Sequence, residues 1–171
     1  MKQIKYILGI FIALLALASC DTYSDDFDID YTAIHPLGGM YKVHITDEAG
    51  TVIDNTQYCY LANTTDNSTT ECWIRIGDYN AKITNAWAIN GKINCNVPEL
   101  TFSGSNVENL AGNVVSSTET FSVSDGQMKL QGATAPSGTV ADQISFTFTN
   151  SRFPGKTYKV EGYRYTGWGE D

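Results

Sequence analysis

Beyond Pro36 the chain consists of short runs in which apolar and polar residues alternate, separated by turn-forming residues. Ile144, Phe146 and Phe148 give the clearest case, because each is separated from the next by one polar residue. A period of two places successive side chains on opposite faces of a β-strand, so that one face is buried and the other faces solvent. No stretch after the first twenty residues has the spacing of an amphipathic helix. The pattern therefore predicts an all-β fold.

The spacing of these runs predicts eight to ten strands in about 135 residues. Asn90-Gly91 and Asp125-Gly126 predict two-residue hairpin turns, since both pairs tolerate positive φ. The stretch 106–120, rich in Ser, Gly and Asn, predicts a long loop. Short connections favour antiparallel up-and-down order. Two architectures fit, a closed antiparallel β-barrel of about eight strands and a two-sheet β-sandwich.

The predicted inward faces are apolar and bulky. They comprise Tyr41, Val43, Cys59, Leu61, Cys72, Ile74, Ile83, Trp87, Ile89, Cys95, Phe102, Phe146, Phe148 and Tyr158. An eight-stranded barrel is just wide enough to be filled by side chains or to hold one small ligand. The sequence is therefore compatible with a packed core and with a ligand pocket. A pocket would be apolar, with tyrosine hydroxyls as polar groups, and would suit an acyl chain. Its predicted ligand contacts are Tyr41, Val43, Trp87, Phe102, Phe146 and Tyr158.

The first twenty residues follow the layout of a secretory signal. Two lysines precede an apolar run at residues 7–17, and small residues precede Cys20. A run of about 11 residues is too short to span a bilayer comfortably. Residues 17–20 (LASC) resemble the bacterial lipoprotein signal, in which the cysteine is acylated and becomes the new N-terminus. We therefore predict a signal peptide at residues 1–19, lipidation of Cys20, and anchoring at the outer membrane or cell surface.

An acidic tether is predicted at residues 20–36, followed by one β-barrel domain at residues 37–171. Five aspartates crowd residues 21–30, a run that resembles the surface-export signal of lipoproteins in Bacteroides and its relatives. The net charge of −8 becomes −10 once two lysines leave with the signal peptide. A chain this acidic is a poor partner for nucleic acid, because phosphate repels it. The expected partners are a membrane, through acylated Cys20, and a small hydrophobic ligand or lipid, bound by a monomer.

Three cysteines remain after Cys20 is used by the lipid. Cys59 and Cys72 flank a polar loop and could form a disulfide across a hairpin, whereas Cys95 would be left over. Buried free thiols are the alternative for all three. Neither a histidine nor a CxxC spacing accompanies them, so we predict no metal site and no cofactor.

The sequence does not supply a catalytic set. His35 lies at the end of the tether, and His44 alternates with apolar residues, so that it should face solvent. No Gly-x-Ser-x-Gly elbow, zinc-helix motif or phosphate loop occurs. We therefore predict no catalytic residue, and binding without covalent chemistry.

Four segments carry a family resemblance. Residues 39–43 (GMYKV) are similar to the glycine-x-aromatic-x-valine entry of lipocalin-type barrels, although Tyr41 stands where a lipocalin has tryptophan. With residues 72–74 (CWI), 142–146 (DQISF) and 162–168 (GYRYTGW), their order resembles the Bacteroides-type lipoproteins called "lipid-binding putative hydrolases", although Gln143 stands where that family usually has serine. The resemblance covers roughly residues 37–171 and implies a calycin-like barrel that binds a lipid-like ligand.

The resemblance also implies how one barrel end is closed. Alternation from Tyr158 and Val160 places Arg164 on the inward face of the last strand. In lipocalin-like barrels an arginine there lies across the aromatic residue of the first strand, here Tyr41, in a cation–π contact. The alternative is that Arg164 is a surface charge.

Two other functions compete with lipid binding. Tyr58, Tyr60 and Trp73 are predicted to share an outer surface, where aromatic rings can stack on sugars, as in a glycan-binding or adhesin-like module. The family's name also suggests a weak ester hydrolase.

Overall fold

Eight β-strands form most of the part of the chain that is described by the computed structural model, residues 29–77, 87–111 and 118–171. The strands are β1 (Gly39–Asp47), β2 (Val52–Asn63), β3 (Glu71–Ile76), β4 (Ile89–Asn96), β5 (Thr101–Glu108), β6 (Thr120–Thr134), β7 (Val140–Asn150) and β8 (Thr157–Arg164). Each strand is antiparallel to its neighbours in sequence, and β8 pairs with β1 to close the sheet. The closed up-and-down barrel is confirmed, and the alternative of a β-sandwich is wrong.

The up-and-down order divides the connections between two ends of the barrel. At one end, which we call the Arg164 end, lie residues 64–70, 97–100 and 135–139. At the other, the Tyr158 end, lie the turns at residues 48–51 and 151–156. No helix within the described ranges is long and apolar enough to cross a membrane.

The alternation of apolar and polar residues along each strand explains which side chains form the core. In β1 the buried residues are Tyr41, Val43 and Ile45, and their neighbours are partly exposed. Every described member of the predicted inward set is buried except Trp87, which is half-buried and packs against the core. Ile83 lies outside the described residues. The inward assignment is therefore confirmed across the described strands.

The predicted hairpin turn at Asn90-Gly91 is wrong, because both residues lie inside β4 and pair with β3. Gly91 faces the interior, where a Cβ atom would lie 2.7 Å from a methyl of Val107 and 2.8 Å from the ring of Phe121. The glycine is therefore required by close packing against β5 and β6 rather than by a turn.

The second predicted hairpin, Asp125-Gly126, is also wrong, because it lies within the 15-residue strand β6. Near this point the register of β6 shifts in its pairing with β5 and also in its pairing with β7. Asp125 has a φ of 54°. A Cβ atom at Gly126 would lie 2.2 Å from the carbonyl oxygen of Phe102. The dipeptide thus forms a β-bulge that bends a long strand around the barrel.

The predicted loop at residues 106–120 is shorter than expected, because β5 continues to Glu108 and β6 begins at Thr120. Residues 112–117 lie outside the described part. Asn109 is buried and ties the start of this connection to the first residues of β4 and the residue before them. Its amide nitrogen donates to the carbonyl oxygen of Ala88 (3.1 Å), and its side-chain oxygen accepts from the backbone N–H of Asn90 (3.0 Å).

Residues 32–171 form one compact unit. Its first residues precede β1 and belong to the core, since Ile34 and Leu37 have no exposed surface. The backbone N–H of Ala33 donates to the side-chain oxygen of Asn67 at 2.9 Å. The compact unit thus includes five residues assigned from sequence to the tether. The signal peptide and Cys20 lie outside the described residues.

Candidate functional site

The barrel interior is occupied by a column of aromatic rings. Centroid distances are 5.5 Å from Phe102 to Phe146, 6.3 Å from Phe146 to Phe148, and 5.2 Å from Phe148 to Tyr158. These spacings are those of favourable aromatic pairs. The column runs from the Arg164 half of the barrel to the Tyr158 end, so the middle of the barrel is filled by side chains.

The structure divides the six predicted ligand residues between two places. Tyr41, Val43, Phe102 and Phe146 are at most 3% exposed and contribute to the packed core. Trp87 and Tyr158 instead line a groove at the Tyr158 end. A ligand in this groove would contact half-buried Trp87 and the small exposed part of Tyr158, which is also the last ring of the column.

This groove has a volume of about 460 Å³, within the range of small-molecule sites. Its lining residues are Asp47, Glu48, Ala49, Ile53, Trp87, Phe153, Gly155, Lys156, Thr157 and Tyr158. The two hairpin turns, β1–β2 and β7–β8, form opposite sides. Ile53 is 38% exposed, and Trp87 and Phe153 are half-buried, so apolar surface faces the groove. The groove thus offers an apolar surface between two polar turns.

The shape of the β1–β2 turn is fixed by Asp47. One carboxylate oxygen of Asp47 accepts hydrogen bonds from the backbone N–H groups of Ala49 (3.0 Å) and Thr51 (2.8 Å). Gly50 follows with a φ of 78°, a conformation that favours glycine. The turn therefore holds Ala49 and the first residues of β2 at the side of the groove.

Tyr158 forms the floor of the groove. Its ring stacks on Phe148 at an interplanar angle of 27°, and the residue is only 3% exposed. Burial raises the pKa of its hydroxyl, and the nearby carboxylate of Asp47 raises it further. The phenol is therefore neutral across the physiological range and can donate a hydrogen bond.

Arg164 covers the opposite end of the barrel. It pairs with Tyr41 across the closing seam between β8 and β1, and its guanidinium carbon lies 5.0 Å from the Tyr41 ring centroid. Nη2 donates to the Tyr41 hydroxyl at 2.9 Å and to the carbonyl oxygen of Pro36. Nη1 donates to the carbonyl oxygen of Gly38 at 2.6 Å, and Nε to a carboxylate oxygen of Asp142 at 2.9 Å. The two residues predicted to close the barrel are in direct contact.

Tyr41 is thus a structural residue of the Arg164 end. Its hydroxyl donates to the carbonyl oxygen of Leu37 at 2.7 Å, and burial raises its pKa against the opposing effect of the Arg164 charge. Of the two roles predicted for Tyr41, closure of the barrel and ligand binding, only closure fits this buried position.

The three remaining cysteines are free and buried, so the predicted Cys59–Cys72 disulfide is not present. The register explains why. Cys59 pairs with Ile76, whereas Cys72 pairs with Asn63, which separates the two thiols along the β2–β3 ladder. Burial raises the pKa of all three thiols.

The predicted outer aromatic residues do share one face of the barrel. Tyr60 pairs with Arg75, whose guanidinium carbon lies 4.3 Å from the Tyr60 ring centroid. The rings of Tyr58 and Tyr165 pack edge to face, with their centroids 6.0 Å apart. Trp73 is one row further along the same face and is half-buried. Two of the three rings therefore already contact side chains of their own chain.

Of the two histidines, His44 lies on the outer face as predicted. Its Nε2 is 3.7 Å from a carboxylate oxygen of Glu161, and its side chain is 45% exposed. His35 is exposed in the segment before β1.

Similar proteins are found both among protein families and among solved structures. A family model described as "lipid-binding putative hydrolase" matches residues 26–169. Among solved structures, a redesigned β-barrel is similar, with 18% sequence identity, a TM-score of 0.44, and coverage of 78% of this chain and 96% of that one. No curated protein matches the chain.

Proposed function

The chain belongs to the family of "lipid-binding putative hydrolases", as its motifs suggested, and on that premise we propose that it binds a single-chain, lipid-like ligand in the groove at the Tyr158 end, without covalent chemistry. The observation that carries this proposal is the contrast between a filled interior and a partly exposed apolar groove. Because the family is described as lipid-binding and the barrel interior is filled, we place the ligand where apolar surface is accessible.

The energetic argument favours the groove over the interior. A ligand in the interior would displace rings such as Phe146 and Phe148, which are at most 2% exposed and in mutual contact. Removing a packed aromatic ring from a core costs about 3–5 kcal/mol. By contrast, covering the exposed parts of Ile53, Trp87 and Phe153 gains about 25 cal/mol for each Å² of apolar surface.

Titration of the protein with a single-chain amphiphile below its micelle concentration tests the proposal. We expect the tryptophan emission to shift to shorter wavelength, because the ligand removes Trp87 from water. In Trp87→Phe the shift should be lost, whereas Trp168→Phe, which removes a tryptophan that is 62% exposed in the C-terminal segment, should retain it. Replacement of Trp87 by alanine should weaken binding about tenfold, or ~1.4 kcal/mol. An unchanged spectrum and affinity in all variants would contradict the groove.

Two alternative functions are tested with further variants of the same protein. A glycan-binding module should be retained on polysaccharide gels and lose retention in Trp73→Ala, with Trp87→Ala unaffected. An ester hydrolase should turn over generic esters, and the turnover should depend on His44 or on one of the cysteines. Either result, in the absence of amphiphile binding, would replace the proposed function.

We also propose that the barrel is carried at the outer membrane or cell surface by an acylated Cys20. The support is the LASC sequence at residues 17–20 and the apolar run before it. In the native host we expect Cys20→Ser to abolish both the acyl mass and membrane fractionation, because no thiol is then available for the lipid. Intact-protein mass spectrometry measures the acyl mass, and cell fractionation measures membrane association. Wild type and Cys59→Ser are the controls. An unchanged mass and a membrane-bound Cys20→Ser protein would exclude lipidation at this residue.

A further inference from the structure

The floor of the groove carries an unused hydrogen-bonding group. Tyr158 is 3% exposed, yet its hydroxyl makes no hydrogen bond within the part of the chain that the structure describes. Among the described residues, the Tyr158 oxygen is not one of the fully buried polar atoms without a partner, so it reaches the surface of the groove. Water can pair with it there, and a ligand that covers the hydroxyl must replace that hydrogen bond. The ring is fixed by its stacking on Phe148, so the free end of the side chain is the hydroxyl that borders the groove.

The charged groups around this hydroxyl restrict what can bind to it. Asp47, Glu48 and Lys156 are the charged residues that line the groove. Two carboxylates and one ammonium group give the lining a net negative charge. Asp47 is also close enough to Tyr158 for its charge to affect the phenol. A second anion placed beside Tyr158 would therefore be repelled in a partly desolvated site.

A cationic head group fits the phenol poorly for a different reason. An ammonium group has donors and no acceptor, so it can donate to the phenol oxygen but cannot accept the hydrogen bond that Tyr158 donates. One oxygen of Asp47 already accepts two backbone hydrogen bonds in its own turn. The Lys156 ammonium on the other side of the groove would oppose a cation. The missing partner of the phenol is therefore a neutral acceptor.

We propose that the ligand is a neutral single-chain amphiphile whose hydroxyl or ester carbonyl oxygen accepts a hydrogen bond from Tyr158, while its chain lies on Ile53, Trp87 and Phe153. This inference rests on the proposed lipid-binding function and specifies the head group. It predicts discrimination against free fatty acids. The head group points toward the barrel and the chain toward the groove walls.

The experiment compares four ligands of equal chain length, 1-decanol, methyl decanoate, decanoate and decylamine, at about pH 8, where the carboxylic acid is ionised. We expect the alcohol and the ester to bind at least tenfold more tightly than decanoate. Tyr158→Phe should weaken binding of the alcohol and the ester about fivefold to tenfold, and leave decanoate and decylamine unchanged. Because the hydroxyl has no protein partner, Tyr158→Phe should melt within about 2 °C of wild type.

The outcomes separate the two proposals. If none of the four ligands binds, the lipid-binding groove itself is wrong. If the ligands bind and binding depends on Trp87, but Tyr158→Phe changes no affinity or decanoate binds as tightly as decanol, the groove stands and the head-group assignment is overturned. Tightest binding of decylamine, unaffected by Tyr158→Phe, would overturn it in favour of a cationic ligand.

Discussion

Replacement of Gly162 by valine is expected to lower the free energy of unfolding by about 3 kcal/mol or more. Gly162 is in β8, between Val43 of β1 and Ile144 of β7. A Cβ atom there would lie 2.2 Å from the carbonyl oxygen of Lys42 and 2.7 Å from the Cα atom of Val43. These are backbone atoms, so a side-chain rotation cannot relieve the overlap, and the β1–β8 seam must separate locally.

The seam is the pairing that converts the sheet into a barrel. It contains seven residue pairs, from Tyr41–Arg164 to Asp47–Tyr158. Opening it would expose two strand edges and the core beneath them. Since a domain of this size has a total stability of about 5–15 kcal/mol, the loss at Gly162 is a large fraction of the whole.

Denaturant unfolding followed by circular dichroism measures this loss. Gly169→Ala is the matched control, because a Cβ atom at Gly169 would meet no atom within 4 Å, and its stability should stay within about 0.5 kcal/mol of wild type. A Gly162→Val protein within about 1 kcal/mol of wild type would show that the seam tolerates a side chain and that barrel closure does not depend on this glycine.

The inward face of the barrel could be predicted because its cause is local. In β7, Ile144, Phe146 and Phe148 alternate with polar residues, and burial of one face leaves no other register for such a strand. Turn prediction failed at Gly91 and Gly126 for the opposite reason. Glycine also occurs where another part of the chain approaches closely, and the partners, Phe121 and Phe102, are distant in sequence.

The groove was only partly predictable. Alternation predicts that Trp87 and Tyr158 face inward, but it does not place Ala49, Ile53 and Phe153 beside them. These residues come from two turns separated by about a hundred positions, and only closure of β8 on β1 brings them together. Whether the interior was filled or hollow depended on how the rings of β5, β7 and β8 stack, which alternation alone does not specify. Phe153, an apolar residue beside the Pro154-Gly155 turn, was the one local signal available.

Replacement of Arg164 by methionine is the second change with a large expected effect, about 3 kcal/mol of stability lost. Methionine keeps the apolar contacts of the side chain but removes the charge and every donor. Asp142, whose side chain is 19% exposed, would lose its ion-pair partner, and the carbonyl oxygens of Pro36 and Gly38 would lose their donors. The cation–π contact with Tyr41 would be lost as well.

Lys92→Met provides the control for charge removal. Lys92 forms a similar pair with Glu71 at 3.3 Å, but both side chains are at least 40% exposed, so the expected loss is below about 1 kcal/mol. The contrast tests whether the environment of Arg164, rather than ion pairing as such, stabilises the closed end. Equal effects of the two substitutions would contradict a special role for Arg164.

A double-mutant cycle with Asp142→Asn assigns the energy within this network. If the ion pair contributes most of it, Asp142→Asn should cost clearly less in the Arg164→Met background than in wild type, with a coupling energy of about 1–3 kcal/mol. If the two effects add, the stabilisation comes instead from the carbonyl groups of Pro36 and Gly38 and the ring of Tyr41. In that case Arg164 acts mainly by holding the segment before β1 across the end of the barrel, where Ile34 and Leu37 complete the core.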